Sequence, residues 1–206
     1  MVQELLATSV DKELYVEGWK PTLQQQKEVA RGVARGMEYL HTRFKHEESQ
    51  QDQPIVHRDL KAPNLLLQTR PVEGEEVVVK IADFGLSRDK SLDSADQQTL
   101  LTTGCGSVLW MAPEILLGEI YNEKVDVFSY AMCLIEITNF KLPWSGVAMG
   151  AEVPHRVTTG RRPTAQLRDC DATLAELITD CWNQLPAERP DFVEIVQRTE
   201  AMFGAE

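Results

Sequence analysis

The stretch from Glu123 to Phe140 constrains the fold more than any other part of the chain, because it reads as a helix that is apolar on nearly every side. A helix of that kind has no solvent face and belongs inside a core. The remaining elements must surround it. With 206 residues and 43% hydrophobic content, the chain can bury roughly 70% of its unfolded surface around one core. That fits a single domain and excludes collagen-like, disordered and coiled-coil architectures.

The surrounding elements are readable from periodicity. Thr22 and Gln25 have the spacing of a capping box, and Leu23, Val29, Ala30, Val33, Ala34, Met37 and Leu40 then recur at helical intervals, predicting a long helix that ends near His41. From Thr42 to Pro54 the chain is almost wholly polar and reads as an exposed loop. Leu65–Gln68 and Glu76–Ala82 are strand-like runs around a turn containing Pro71 and Gly74, which predicts a hairpin. Met1–Ala7 is a further strand-like run, followed by a polar stretch from Thr8 to Pro21. Ser87–Thr103 is hydroxyl-rich and without periodicity, whereas Thr173–Asn183 and Asp191–Phe203 are helical, the latter capped by Asp191 and Glu194. The expected class is α+β, mainly helical with one small hairpin, without internal repeats or a second-domain linker.

Charge narrows the partners. Lys and Arg number 21 against 32 Asp and Glu, a net charge of -11 with a pI near 4.9, which repels phosphate backbones and anionic headgroups. Neither nucleic acid nor a membrane is an expected partner. No apolar run approaches the ~20 residues of a membrane span, and the first residues lack the pattern of a secretory signal. Cys105, Cys133, Cys170 and Cys181 form no Cys-x-x-Cys pair and read as reduced thiols. The expected location is intracellular, in the cytoplasm.

Two polar clusters border the hairpin. His57-Arg58-Asp59-Leu60-Lys61-Ala62-Pro63-Asn64 precedes its first strand and Asp83-Phe84-Gly85 follows its second, so both lie at one end and can face the same space. Carboxylates and an amide oxygen are hard ligands suited to Mg²⁺ held against phosphates, and a further carboxylate can accept a proton from a hydroxyl. That is the chemistry of phosphoryl transfer.

With the catalytic loop 57–64, Asp83-Phe84-Gly85, Ala112-Pro113-Glu114, Asp126 and Arg189 in order, the sequence resembles the C-terminal lobe of a eukaryotic protein kinase over essentially its whole length. The resemblance implies a kinase domain over 1–206 comprising hinge and C-lobe, with an activation segment at 83–114. It implies that Asp59 accepts the proton of the substrate hydroxyl and that Lys61 neutralises charge on the transferred group. Asn64 and Asp83 would hold magnesium beside ATP, Leu66 would form the floor beneath adenine, and Glu4 and Leu6 would offer hinge backbone groups to the base. Asp126 would accept backbone N–H groups of the catalytic loop, His57 and Arg58 would support that loop, and Glu114 and Arg189 would pin the end of the activation segment. Lys61, two residues after Asp59, favours serine/threonine specificity. Gly106-Ser107-Val108-Leu109-Trp110-Met111-Ala112-Pro113-Glu114 and Cys181-Trp182 with Pro186, Arg189, Pro190 and Phe192 resemble the tyrosine-kinase-like group, with Ser107 standing near Asp59 and Lys61. Arg58 suggests an activation segment ordered by phosphorylation, with Thr99, Thr102 and Thr103 as candidate sites.

A glycine-rich loop, an early-strand lysine and a helical glutamate have no counterpart. Gly104-Cys105-Gly106 lacks a third glycine, and Lys80 in Val77-Val78-Val79-Lys80 belongs to the second hairpin strand. The N-lobe is expected to be absent except for its last strand at Met1–Leu6. The reading is therefore a protein serine/threonine kinase, ATP- and magnesium-dependent, in a truncated form with weak activity alone, acting on protein substrates. An N-lobe or partner protein would cover the open cleft. The alternative is a non-catalytic scaffold or regulatory pseudokinase-like lobe.

Overall fold

The computed structural model describes residues 6–42, 55–83, 107–148 and 150–204. In chain order the elements are β1 (Thr8–Ser9), α1 (Val10–Tyr15), α2 (Leu23–Thr42), β2 (Leu65–Leu67), β3 (Val79–Ile81), α3 (Pro113–Leu116), α4 (Lys124–Asn139), α5 (Glu152–Thr158), α6 (Ala172–Cys181) and α7 (Phe192–Ala201), with a 3-10 turn over Ala62–Asn64. The fold is mainly helical with one small antiparallel sheet of order β1-β2-β3.

Helix α4 is the centre, as its composition requires: every residue from Val125 to Ile137 is buried. It ends at Phe140, whose left-handed backbone (φ 58) lets its N–H bond back to Glu136 O at 2.8 Å. Around it pack α2 and α6, and α2 in turn packs along α7. The α2 capping box forms in both directions: Gln25 N donates to Thr22 Oγ1 (3.3 Å) and Thr22 N to Gln25 Oε1 (3.2 Å). Asp191 caps α7 by accepting from Glu194 N at 2.8 Å. The helix expected from Thr173 starts at Ala172, because Asp171 is its N-cap and accepts from Thr173 N and Leu174 N.

The hairpin is shorter than its apolar pattern. Its strands pair Leu65 with Ile81 and Leu67 with Val79, but Val77 N donates to Glu28 Oε2 of α2 at 2.9 Å instead of to a neighbouring strand. Gln25 Nε2 likewise holds Val72 O at 2.8 Å. Side chains of α2 thus take the backbone groups that a longer ladder would use. Gly74, at φ 82, is the third residue of the turn closed by Glu75 N to Val72 O, a place where positive φ favours glycine. Farther along the same helix, Gly32 and Gly36 face Val79 and Ile81 so closely that a Cβ would lie 2.5 Å from Val79 Cγ1 and 2.7 Å from Ile81 Cδ1.

Three expectations change. The strand expected over Met1–Ala7 lies mostly outside the described residues, and within them the strand is Thr8–Ser9, with Ala7 N donating to Leu67 O at 3.0 Å. The polar stretch from Thr8 to Pro21 contains helix α1, whose Val10, Glu13 and Leu14 are buried on one face; packing against the hairpin and the Ala62–Asn64 turn outweighs its polar composition. Helix α5 was not foreseen either. Of the loop expected from Thr42 to Pro54, Thr42 belongs to α2, and the rest, like the hydroxyl-rich stretch Ser87–Thr103, lies outside the described residues.

Candidate active site

The segment 57–64 is held from below by the first turn of α4. Asp126, fully buried, accepts from His57 N through Oδ2 and from Arg58 N through Oδ1, both at 2.8 Å. A third contact comes from His41 Nε2, 2.9 Å from Oδ2. Burial by itself would raise the Asp126 carboxyl. The His41 hydrogen bond and charge, the nearby His57 and the Arg58 N–H outweigh it and hold Asp126 below the usual carboxylate range. The gripped Arg58 has φ 70, and Asp83, after β3, has φ 64, values uncommon for non-glycine residues.

Above this anchor the polar side chains converge. Lys61 Nζ lies 2.7 Å from Asp59 Oδ2 and donates to Ser107 Oγ at 2.8 Å. Asn64 Nδ2 donates to Asp59 O at 2.8 Å and to Asp59 Oδ2 at 3.2 Å. Asp59 N in turn donates to His57 Nδ1 at 3.3 Å, and His57 Nε2 lies 3.1 Å from Ala82 O. Asp59, Lys61, Asn64 and Ser107 therefore form one cluster, although Ser107 is 46 residues from Lys61 in sequence. Asp83 joins the same end of the sheet: Ala82 N donates to Asn64 O at 2.9 Å, so the residue after Ala82 emerges next to the Asn64 turn. The Asn64 side chain turns its amide nitrogen to Asp59, so its amide oxygen, a hard donor, is the atom of this residue that could hold a cation.

Leu66 is half-buried in the central strand, opposite Ser9 and Lys80, between fully buried Leu65 and Leu67. Leu6 is half-buried beside Ala7, at the entry to β1. Glu4, Phe84, Gly85, Thr99, Thr102 and Thr103 lie outside the described residues. Arg58 is buried, and its Nε and Nη2 have no hydrogen-bond partner among the described residues.

Farther from the cluster, Arg189 and Glu114 form a buried bidentate pair, Nη1 to Oε1 at 2.6 Å and Nη2 to Oε2 at 2.9 Å. Arg189 also donates to the carbonyls of Asn183 and Lys124. The pair ties the start of α3 to the loop before α7.

Two residues at the site have no place in the sequence reading. His41 touches Asp126, and Glu136, buried near the end of α4, accepts from Tyr15 Oη at 2.6 Å and from Trp110 Nε1 at 2.8 Å. A signal for Glu136 existed: a carboxylate in a helix apolar all round must find donors where it is buried.

Comparison with known proteins identifies the family. A family model described as protein tyrosine and serine/threonine kinase matches residues 1–199. The RGS domain-containing serine/threonine-protein kinase A of Dictyostelium discoideum is 37% identical over 179 residues, 87% of this chain and 14% of that protein. Mitogen-activated protein kinase kinase kinase 7 of Drosophila melanogaster is 36% identical over 167 residues, 81% of this chain and 22% of that protein. Mitogen-activated protein kinase kinase kinase 11 of Rattus norvegicus is 34% identical over 173 residues, 82% of this chain and 19% of that protein. The chain thus spans less than a quarter of the length of each of these relatives. It belongs to the protein tyrosine and serine/threonine kinase family, with relatives consistent with the tyrosine-kinase-like group.

Proposed function

We propose that the 206 residues are the hinge and C-terminal lobe of a serine/threonine protein kinase that moves the γ-phosphoryl group of ATP to protein hydroxyls. The observation that carries this reading is the cluster in which Asp59 meets both Lys61 Nζ, at 2.7 Å, and Asn64 Nδ2, at 3.2 Å. In the reaction a bond forms between the substrate hydroxyl oxygen and the γ-phosphorus while the bond to ADP breaks. Asp59 accepts the hydroxyl proton. Lys61 has three N–H donors, two of them directed at Asp59 and Ser107, and the third serves a transferring phosphoryl oxygen. Ser107 holds Lys61 in that position.

The Asn64 amide oxygen and the Asp83 carboxylate suit magnesium, as hard oxygen donors at one end of the sheet, with phosphate oxygens completing the shell. Bound magnesium supplies charge neutralisation at the phosphates. Leu66 forms the floor beneath adenine, and Glu4 and Leu6 offer hinge backbone groups to it. The 206 residues hold no glycine-rich phosphate loop or early-strand lysine, so an N-lobe or partner protein outside them covers the triphosphate, and the lobe alone has weak activity. Asp126, Glu114 and Arg189 serve as support. The unpartnered Arg58 nitrogens suit a phosphate added at Thr99, Thr102 or Thr103, which a guanidinium can grip bidentately.

The decisive experiment follows transfer of radiolabelled γ-phosphate by the full natural chain with magnesium, comparing wild type with Asp59→Asn. A loss of about a hundredfold or more is expected from removal of the proton acceptor. Equal incorporation by both would reject the role of Asp59, and incorporation by neither would favour a non-catalytic scaffold.

A further inference from the structure

Glu136 is the one fully buried carboxylate among the described residues that the reaction above leaves without a task. Its surroundings connect it to three parts of the site at once. Oε2 accepts from Trp110 Nε1 at 2.8 Å, and Oε1 accepts from Tyr15 Oη of α1 at 2.6 Å. The N–H of Ala62 also faces the carboxylate and favours its ionised form. Ala62 is the residue after Lys61, and Trp110 closes the 3-10 turn that starts at Ser107, its N donating to Ser107 O at 3.0 Å. Ser129 Oγ of α4 adds a 2.8 Å bond to Trp110 O. Glu136 therefore underlies both ends of the Lys61–Ser107 hydrogen bond, holding the Ser107 end through Trp110 and lying against the Lys61 end at Ala62.

We propose that Glu136 is a positioning residue that sets the separation between Lys61 and Ser107, and that protonating it loosens their contact and slows phosphoryl transfer. The inference rests on the kinase reading above. The reason is donor arithmetic. An ionised carboxylate accepts from Tyr15 and Trp110 together and attracts the Ala62 N–H as well. A protonated one carries a hydrogen of its own, which must point at an acceptor, and Trp110 Nε1 and Ala62 N can only donate. The Tyr15 hydroxyl alone can reverse, so the neutral form keeps a weaker and rearranged set of bonds.

The charged groups facing Glu136 place this change within the working range. Burial pushes its carboxyl up to about 7 despite the bonds from Tyr15 and Trp110, and the charge of Asp11 on α1 adds to the rise. Burial also raises the Tyr15 phenol and the Cys133 thiol, both further raised by Glu136 itself, and Asp59 faces Cys133 from the 57–64 segment. Both neighbours stay neutral, so Glu136 is the member of the group that titrates.

The test measures γ-phosphate transfer from ATP and magnesium into a pool of serine- and threonine-containing peptides by the full natural chain across about pH 5.5 to 8.5, the range around a group near neutrality. In wild type the rate should rise several-fold through a midpoint near 7. Glu136→Gln, which keeps the shape and fixes the neutral state, should show the low, acid-side rate at every pH. Tyr15→Phe removes one bond to the carboxylate and should move the midpoint to higher pH, a displacement that a merely structural role would not cause and that decides the matter if the glutamine variant fails to fold. Wild type and Glu136→Gln with parallel pH profiles would overturn the proposal. If neither wild type nor Asp59→Asn transfers phosphate, the kinase reading fails instead. The indole N–H resonance of Trp110 then still decides the role of Glu136: a shift through pH 7 in wild type that vanishes in Glu136→Gln supports it, and a resonance that does not titrate rejects it.

Discussion

His41 Nε2 stands 2.9 Å from Asp126 Oδ2, joining the last turn of the longest helix to the first turn of the buried one, directly beneath the backbone of His57 and Arg58. Removing the carboxylate leaves two buried N–H groups without acceptors, at about 1–3 kcal/mol each. Asp126→Ala should therefore lower unfolding free energy in urea by roughly 3 kcal/mol or more. Asp126→Asn keeps one acceptor oxygen and should lose less. Equal stability of Asp126→Ala and wild type would deny the anchor.

The Glu114–Arg189 pair predicts an asymmetric mutant cycle. Removing one partner strands a buried charge, at about 3–5 kcal/mol. Arg189→Met alone and Glu114→Gln alone should each be strongly destabilising, whereas the double variant should recover part of the loss. Arg189→Lys should not rescue, because an ammonium cannot reproduce the two parallel bonds at 2.6 and 2.9 Å. Chemical denaturation of wild type and the four variants checks this.

The two glycines of α2 should respond differently to alanine. Each substitution gains about 1 kcal/mol of helix propensity. At Gly32 the new Cβ meets the stiff β-branched Val79 at 2.5 Å, and at Gly36 it meets the far end of Ile81 at 2.7 Å. Ile81 can swing away by a rotamer change and Val79 cannot. Gly32→Ala should destabilise by about 1–3 kcal/mol, Gly36→Ala should be close to neutral, and Val79→Ala should relieve the first. Thermal melts of the set distinguish these outcomes.

Glu136 also gives stability a pH dependence. Its folded carboxyl lies near 7, above its ordinary value of 4.5, so between those values the folded chain holds a proton that the unfolded chain has released. Stability contributed by this group is full below the unfolded value, falls as pH rises, and is lost above about 7. The ionised form costs on the order of 3 kcal/mol. Glu136→Gln should be more stable than wild type at pH 8 and should flatten the decline between pH 5 and 7, as followed by urea titration at a series of pH values.

Sequence patterns carried the long-range plan where periodicity was strong and failed where packing decided. The apolar run of α4, the capping box at Thr22 and the two hairpin strands were legible, because their own residues specify them. Helix α1 was not: six residues with Val10 and Leu14 as its apolar pair form a helix only because the hairpin and the Ala62–Asn64 turn receive that face. Helix α5, seven residues long, escaped for the same reason. At the site, the order of the motifs brought Asp59, Lys61 and Asn64 into view, yet contacts such as Tyr15 with Glu136, 121 residues apart, have no local signature. The hairpin's shortening was equally hidden, since it depends on Glu28 reaching across to Val77.

Asp126 and Glu136 sit on the same helix, ten residues and about 15 Å of axial rise apart. One grips the backbone of His57 and Arg58, and the other grips Trp110 and Tyr15 beside the Ala62 turn. The central helix thus acts as a ruler, and both the spacing of its two marks and their angular phase are set by its pitch. Adding or deleting one residue between them would turn one mark by about 100° relative to the other, so this interval tolerates substitution of its apolar side chains far better than any change in its length.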